Sequence, residues 1–279
     1  MEKTQHRILI GNNLDWLPML EEGSVHLGIT SPPYYNERDY AQWPSYEDYL
    51  ADMRRTLEAC YRVLAPGRRL VWNVAVIPQG AKGLLAIPHD TVQIAREVGW
   101  VFRDEAIWVK DNIETLAPPG TYPYPGNCLI MPTHEHLLHF RKPGQASYAH
   151  VTPQQREAGK IDDDQFYSWR LARSCWTGIK PEGKRASTWG GHSAPFPFRL
   201  VEPIIRAWSF PGETVLDPFC GSGTVSRVAA DWGRDSIGIE LHPEFVPFIR
   251  ERLGLDQERL FEGMEVTFED RDGPHRSSP

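Results

Sequence analysis

Two adjacent prolines, Pro32 and Pro33, stop an apolar run and dictate where the chain must leave a sheet. The run is Val25-His26-Leu27-Gly28-Ile29, which reads as a buried strand. Proline lacks the backbone N–H and fixes φ, so neither residue can extend a ladder. The segment Thr30-Ser31-Pro32-Pro33-Tyr34 therefore departs as a rigid, extended turn. Its carbonyls are free to accept hydrogen bonds, with the Ser31 hydroxyl on one side and the Tyr34 ring on the other. Such a turn suits a flat ring that carries an amine. The ring would stack on Tyr34, and its NH2 would donate to Ser31 and to the Pro32 carbonyl. The same residues also describe an ordinary Pro-Pro turn that only ends a strand.

A second motif adds chemistry to the first. Thr214-Val215-Leu216-Asp217-Pro218-Phe219-Cys220-Gly221-Ser222-Gly223-Thr224 runs from a strand into a Gly-rich turn and then a helix. Glycines let backbone approach a ligand closely, and a helix N-terminus favours polar or anionic groups. No Lys-Ser/Thr follows the glycines, so this is not a Walker loop, and the dinucleotide pattern GxGxxG is absent too. The next strand, Ser236-Ile237-Gly238-Ile239, ends in Glu240. An acid at that point is placed to bind ribose hydroxyls.

The rest of the chain alternates between strand and helix patterns. Arg7–Ile10, Val25–Thr30 and Arg69–Val74 read as strands. Tyr46–Leu64 reads as a helix with Tyr49, Met53, Leu57, Cys60, Tyr61 and Leu64 on one face. His89–Val98 is a helix ended by Gly99. Val101–Val109 and His136–Phe140 read as paired strands, and Phe198–Trp208 as a helix. The whole is an α/β doubly wound sheet, whose ligands belong at the carboxyl ends of the strands. Both motifs fall at such ends. Residues 115–191 break the rhythm and are rich in Pro, Gly and aromatics. Residues 263–279 read as a polar, frayed tail.

Bulk properties narrow the function further. The 279 residues and their 41% hydrophobic content suffice for one large domain with an insertion. No apolar stretch is long enough to span a membrane, and no secretory leader is visible, so a cytoplasmic protein is expected. The four cysteines, Cys60, Cys128, Cys175 and Cys220, are scattered and read as reduced thiols. The net charge of −7 opposes binding to phosphate. Yet residues 141–185 hold nine Lys/Arg against five Asp/Glu, interleaved with Tyr148, Phe166, Tyr167, Trp169 and Trp176. Basic residues among aromatics suit a nucleic-acid groove. A solvated insertion with a small aromatic core is the competing reading. Asp162-Asp163-Asp164 is expected to face solvent or to cap a helix at Gln165. His134, His136 and His139 invite a metal reading. His139 would leave the strand face shared by the other two, so no metal site is expected.

The two motifs together resemble those of the S-adenosylmethionine-dependent amino-methyltransferases of DNA. In that family a DPFxGSGT turn holds the cofactor and an SPPY-type turn holds the target amine. Here the catalytic motif precedes the cofactor motif, an order similar to that of the family's β group. The resemblance implies a circularly permuted, Rossmann-like, seven-stranded methyltransferase sheet with an inserted target-recognition region. It extends to Leu64–Leu70, to Trp108–Asn112 and His134–Lys142 as a closing hairpin, and to His192–Pro197 as a loop over the methionine end of the cofactor. Residues 1–114 would form the catalytic half, 115–191 the recognition insertion with a core strand near 134–142, and 192–262 the cofactor half.

Carried over residue by residue, the resemblance makes Ser31, Pro32, Pro33 and Tyr34 catalytic. It gives the cofactor Asn12, Thr30, Ser193, Ala194, Pro195 and Phe196 from the first half and the covering loop. From the second it gives Asp217, Phe219, Gly221, Ser222, Gly223, Thr224, Glu240 and Leu241. Many relatives carry Gly-Asp where this chain has Gly11-Asn12-Asn13; Asn12 would bond the cofactor adenine through its side-chain carbonyl. The implied cofactor is S-adenosylmethionine and the implied partner double-stranded DNA, with a homodimer and a cognate restriction endonuclease as further partners to test. Serine in the first position leans towards N4 of cytosine, with N6 of adenine the alternative. An RNA or protein-amide methyltransferase and an inactive DNA-binding module are more remote readings.

Overall fold

A computed structural model describes residues 3–36, 42–79, 83–110, 121, 124–128, 130–169, 171–181, 196–255 and 263–270. Eleven strands are assigned among them. These are β1 (Thr4–Ile10), β2 (Val25–Thr30), β3 (Leu64–Val74), β4 (Ile77–Pro78), β5 (Leu84–Leu85) and β6 (Val101–Val109). β7 (His134–Arg141), β8 (Cys175–Trp176), β9 (Thr214–Asp217), β10 (Asp235–Glu240) and β11 (Met264–Asp270) follow. The helices are α1 (Asn13–Trp16), α2 (Tyr46–Val63), α3 (Ile87–Val98), α4 (Pro153–Ala158), α5 (Asp163–Ser168), α6 (Phe198–Trp208), α7 (Thr224–Asp231) and α8 (Val246–Leu253).

The main sheet has the order β11-β1-β10-β9-β2-β3-β7-β6-β8. From β11 to β3 every pairing is parallel. β7 then runs antiparallel to both β3 and β6. The seven strands from β1 to β6 in that order are the expected sheet, and β11 and β8 add an edge on either side. β11 corrects the expectation of a frayed tail at this point. Met264–Asp270 alternates partly buried and exposed residues and pairs with the whole of β1. A polar outer face is normal for an edge strand, and the charged composition hid it.

Side chains sort by the period-2 rule. Leu70, Trp72 and Leu216 join the core beneath α2 and α3. Val71, Val215, Leu27 and Ile29 join the core beneath α6 and α7. Helices on both faces make the doubly wound, three-layer arrangement. Tyr49, Met53, Leu57 and Cys60 are the buried stripe of α2, and the Ser45 side chain caps its start by accepting from Asp48 N. Gly99 ends α3 at φ 113°, its N–H shared by the Ala95 and Arg96 carbonyls. α5 is capped by Asp162, which accepts from Gln165 N at 2.7 Å.

β3 begins at Leu64, earlier than the apolar run Leu70–Val74 indicated, with a register break opposite Val25–Leu27. The stretch that broke the sequence rhythm contains β7, α4, α5 and β8, and β8 returns to the sheet beside β6. At the amino ends of the strands, Arg68 and Glu213 form a buried ion pair. The Glu213 carboxylate also accepts from Phe210 N and is approached by His150 Nε2. None of the described helices is long and apolar enough to cross a membrane.

Candidate active site

Parallel strands put their carboxyl ends, and the loops that follow, on one side of the sheet. There β1 runs into Gly11-Asn12-Asn13, β2 into Ser31-Pro32-Pro33-Tyr34, β9 into the Gly-rich turn and β10 into Leu241. These loops enclose a cavity of about 680 Å³. Ser31, Pro32, Pro33 and Tyr34 line one part of it. Asp217, Phe219, Gly221, Ser222 and Thr224 line another, with Glu240, Leu241, Asn12 and Phe196. Two of the sequence candidates stand behind the wall. Thr30 is fully buried and reaches the site only through Asp217, and Gly223 caps α7. Ser193, Ala194 and Pro195 lie outside the described residues.

The Gly-rich turn needs its glycines for definite reasons. Gly223 sits at φ 81°, in the left-handed region that side chains with Cβ resist. Gly238, on β10, would place a Cβ 2.7 Å from Cys220 Sγ, so its bareness lets the turn lie against the strand. Backbone bonds then hold the turn: Cys220 N to Ile239 O at 2.8 Å and Gly223 N to Cys220 O at 3.0 Å. Cys220 is a buried packing residue whose thiol burial pushes far up, which disfavours a thiolate.

Two buried carboxylates dominate the electrostatics. Asp217 is 3% exposed; its Oδ1 accepts from Thr30 Oγ1 at 2.6 Å and from Phe219 N at 3.1 Å. Glu240 accepts from Gly221 N at 2.7 Å on one oxygen and from His242 N at 3.0 Å on the other. Burial pushes Asp217 up to about 7, against the pull of those two hydrogen bonds. Burial likewise raises Glu240 to about 7, against its own two backbone donors. Carboxylates this desolvated are primed for a cationic or hydroxyl-rich ligand.

Asn12 uses its side-chain oxygen to cap α1, accepting from Leu14 N at 2.9 Å. That occupies the carbonyl expected to meet an adenine, leaving one lone pair. Asn13 adds a bond of its own, Nδ2 to Pro218 O at 3.2 Å, that ties the first loop to the Gly-rich turn. The Thr224 hydroxyl is held by Arg252 Nη1 at 2.9 Å.

Several wall residues were missed in the sequence. Asn73 interrupts the apolar run of β3 with an amide, and its Nδ2 lies 3.2 Å from Ser31 Oγ and 3.4 Å from Tyr34 OH. A buried polar residue inside Leu70–Val74 was the available signal. Glu135 and Lys110, from the closing hairpin, form an ion pair at the same wall. Trp43 and Asp52 also face the cavity, bonded Nε1 to Oδ2 at 2.7 Å. Only the folding of α2 over the sheet brings them there.

The three histidines of β7 do not converge. His134 and His136 share a face with ring centroids 5.1 Å apart, and His136 Nδ1 meets Glu105 Oε1. His139 is buried on the other face against Trp208. Among the described residues, His26, His150 and Glu213 have ligand atoms within 4.8 Å of one another. They lie at the amino ends of the strands, and Arg68 already occupies both oxygens of Glu213. The cluster reads as a brace for that ion pair.

The chain is 27% identical to the type II methyltransferase M.MjaI of Methanocaldococcus jannaschii, over 96% of this chain and 97% of that protein. It is 27% identical to the type II beta methyltransferase M.BslI of Bacillus sp. (strain NEB-606), over 90% of this chain but 28% of that longer protein. TTHA0409 of Thermus thermophilus, solved in complex with S-adenosyl-L-methionine, superposes with a TM-score of 0.74 at 31% identity, covering 94% of this chain and 99% of that one. The family model for DNA methylase (N6_N4_Mtase) matches residues 25–251, and the chain therefore belongs to the DNA methylase family.

Proposed function

We propose that this chain is an S-adenosylmethionine-dependent DNA methyltransferase that modifies the exocyclic amine of a base flipped out of the duplex, N4 of cytosine in preference to N6 of adenine. The observation that carries the reading is the sharing of one cavity by Ser31–Tyr34 and Asp217–Thr224. The cofactor of TTHA0409 and the type II names of M.MjaI and M.BslI support the same chemistry and a cognate restriction partner.

The residues fit the cofactor. Two buried carboxylates that can take positive charge and hydroxyls stand at either side of the Gly-rich turn, which donates Phe219 N to one and Gly221 N to the other. Glu240 would take the ribose hydroxyls, Asp217 the amino-acid end, and Phe219 an aromatic contact to the cation. The bound cofactor supplies an electrophilic methyl group on a sulfonium.

The chain's own task is to present the nucleophile. An exocyclic amine is weak because its lone pair is delocalised into the ring. Ser31 Oγ and the Pro32 carbonyl accept its N–H groups and favour a more tetrahedral nitrogen. Tyr34 stacks on the ring and, at roughly 1–3 kcal/mol per base, offsets the cost of extrusion. Positioning supplies most of the rate in such a scheme; the nitrogen takes the methyl, leaving a neutral thioether, and loses its proton to water after transfer, so no strong base is required. Serine in the first position of the motif favours cytosine. The test is sequencing that distinguishes N4-methylcytosine from N6-methyladenine in DNA from cells expressing the chain. N6-methyladenine at a defined site would keep the enzyme and change the base; unmodified DNA would remove the proposal.

A further inference from the structure

Two sequence motifs, Trp108–Asn112 and His134–Lys142, have no assigned role beyond closing the sheet, yet each sends one charged side chain to the cavity wall beside Ser31. Trp108 pairs with Glu135 across β6 and β7, and Lys110 N donates to Thr133 O just beyond. That register brings Lys110 Nζ against Glu135 Oε1 in an ion pair. The other oxygen, Oε2, accepts from Asn73 Nδ2 at 2.5 Å. Glu135 is 6% exposed and Asn73 1%.

Asn73 is the hinge of this arrangement. Its Nδ2 faces three acceptors, Glu135 Oε2, Ser31 Oγ and Tyr34 OH, while its Oδ1 is buried without a partner among the described residues. An amide can be turned end for end with little change of shape, so something must decide which end faces Ser31. A carboxylate accepts and cannot donate, so Glu135 decides it. The N–H end faces Ser31, and Ser31 Oγ is an acceptor towards Asn73.

We infer that Glu135, anchored by Lys110, is a positioning residue that sets the hydrogen-bond polarity of Ser31 through Asn73. With one lone pair of Oγ engaged by Asn73, the Ser31 hydrogen is free to point into the cavity as a donor. The bases named above carry a bare ring nitrogen, an acceptor, next to the exocyclic amine: N3 of cytosine or N1 of adenine. Ser31 then spans both atoms, donating to the ring nitrogen and accepting from the amine. Were the amide reversed, Asn73 Oδ1 would capture the Ser31 hydrogen, and the ring nitrogen would lose its partner.

The inference rests on the methyltransferase reading, and the experiment separates the two. Single-turnover methylation is measured on a duplex with the normal target base and on one with its deaza analogue, in which the ring nitrogen is replaced by C–H. Cofactor affinity is titrated alongside. Wild type should be slower on the analogue by about tenfold or more, the range for a lost bond to a polar partner. Glu135→Ala should be slower on the normal base by a similar factor, with cofactor affinity within about twofold, and should lose little more on the analogue. Glu135→Gln has one carbonyl to serve both Lys110 and Asn73 and an NH2 that can donate to Asn73 Oδ1, so it should be slower than wild type on the normal base and, like Glu135→Ala, lose little more on the analogue. Glu135→Ala combined with Asn73→Ala should be no slower than Asn73→Ala alone, because the first acts through the second. Equal wild-type rates on the two duplexes would overturn the inference without any variant. So would a wild-type rate in Glu135→Ala, or losses that multiply in the double variant. A wild type that methylates neither duplex would instead remove the underlying reading.

Discussion

Thr30 Oγ1 lies 2.6 Å from Asp217 Oδ1, and this bond joins the last residue of β2 to the last residue of β9. The two strands are neighbours in the sheet, with Leu27 opposite Val215 and Gly28 opposite Leu216. Each side chain opens one of the two motifs, so the Ser31–Tyr34 turn and the Gly-rich turn are coupled at their roots.

Thr30→Val keeps the shape of the side chain and removes the donor. Asp217 then loses one of the two hydrogen bonds that favour its ionised form. Affinity for S-adenosylmethionine should fall by about 1.5–3 kcal/mol, the usual value for a bond to a charged group. Thr30→Ser should retain most of the affinity. Calorimetric titration of both variants decides it, and an unchanged Thr30→Val would show that the coupling is only structural.

The raised carboxylates predict a pH dependence with a definite sign. Asp217 and Glu240 move from 3.8 and 4.5 to about 7 in the folded chain. Between those values the folded state binds more protons than the unfolded one, so their contribution to ligand-free stability falls as pH rises to about 7 and is level above it. A cationic ligand favours the ionised forms. Cofactor affinity should therefore rise as pH passes through 7, with protons released on binding near pH 6.5 and fewer near about 8.5. Calorimetry in buffers of different ionisation enthalpy measures that release directly. No release at the lower pH would mean that the carboxylates are already ionised in the free protein.

Removing the carboxylates themselves separates their roles. Asp217→Ala should abolish cofactor binding, because the side chain is buried and nothing nearby replaces it. Asp217→Asn keeps the Thr30 bond and should isolate the contribution of charge. Glu240→Ala should weaken binding by roughly 1.5–3 kcal/mol through lost ribose bonds, and it also removes the carboxylate that accepts from Gly221 N and His242 N. Wild-type affinity in both alanine variants would remove the cofactor assignment.

Much of this was legible because strand-ending motifs speak for their position. Pro32-Pro33 marks the end of β2, and the closing hairpin was readable from the strand patterns of Val101–Val109 and His136–Phe140. β11 was not, since an edge strand with one polar face has the composition of a tail. The candidate wall residues Asn73, Lys110 and Glu135 were hidden for a different reason. Each is a single polar residue in a strand or at its end, and only the β3–β7–β6 register brings the three together. Asn12 shows the converse: its side-chain type suited an adenine contact, but capping α1 uses the same oxygen.

Sequence specificity should travel with residues 143–191 and not with β7. The structure narrows the exchange, because His134–Arg141 pairs with both β3 and β6 and cannot be removed without opening the sheet. A chimera carrying a relative's segment at 143–191 should change the target site and keep cofactor affinity within about threefold, because Asp217, Glu240 and the Gly-rich turn all lie outside the exchanged segment. Methylome sequencing reads the outcome, and an unchanged target site would place recognition elsewhere in the chain.

Ser31 and Tyr34 should act on the base and on the transition state, and leave cofactor binding alone. Ser31→Ala removes an acceptor for the reacting amine, and Tyr34→Ala removes the stacking face. Both should bind S-adenosylmethionine nearly normally and lose most of kcat on duplex DNA. Tyr34→Phe keeps the π face. The long contact from Asn73 Nδ2 at 3.4 Å goes with the hydroxyl, but the stacking ring remains, so much of the activity should be retained. Tyr34→Ala should be partly rescued when the target base is mismatched, because extrusion then costs less. Single-turnover rates on matched and mismatched duplexes give the answer. Equal losses in Tyr34→Phe and Tyr34→Ala would make the hydroxyl, and not the ring, the working part of the residue. Full activity in Ser31→Ala would leave the Pro32 carbonyl as the sole acceptor for the amine and remove Ser31 from the mechanism.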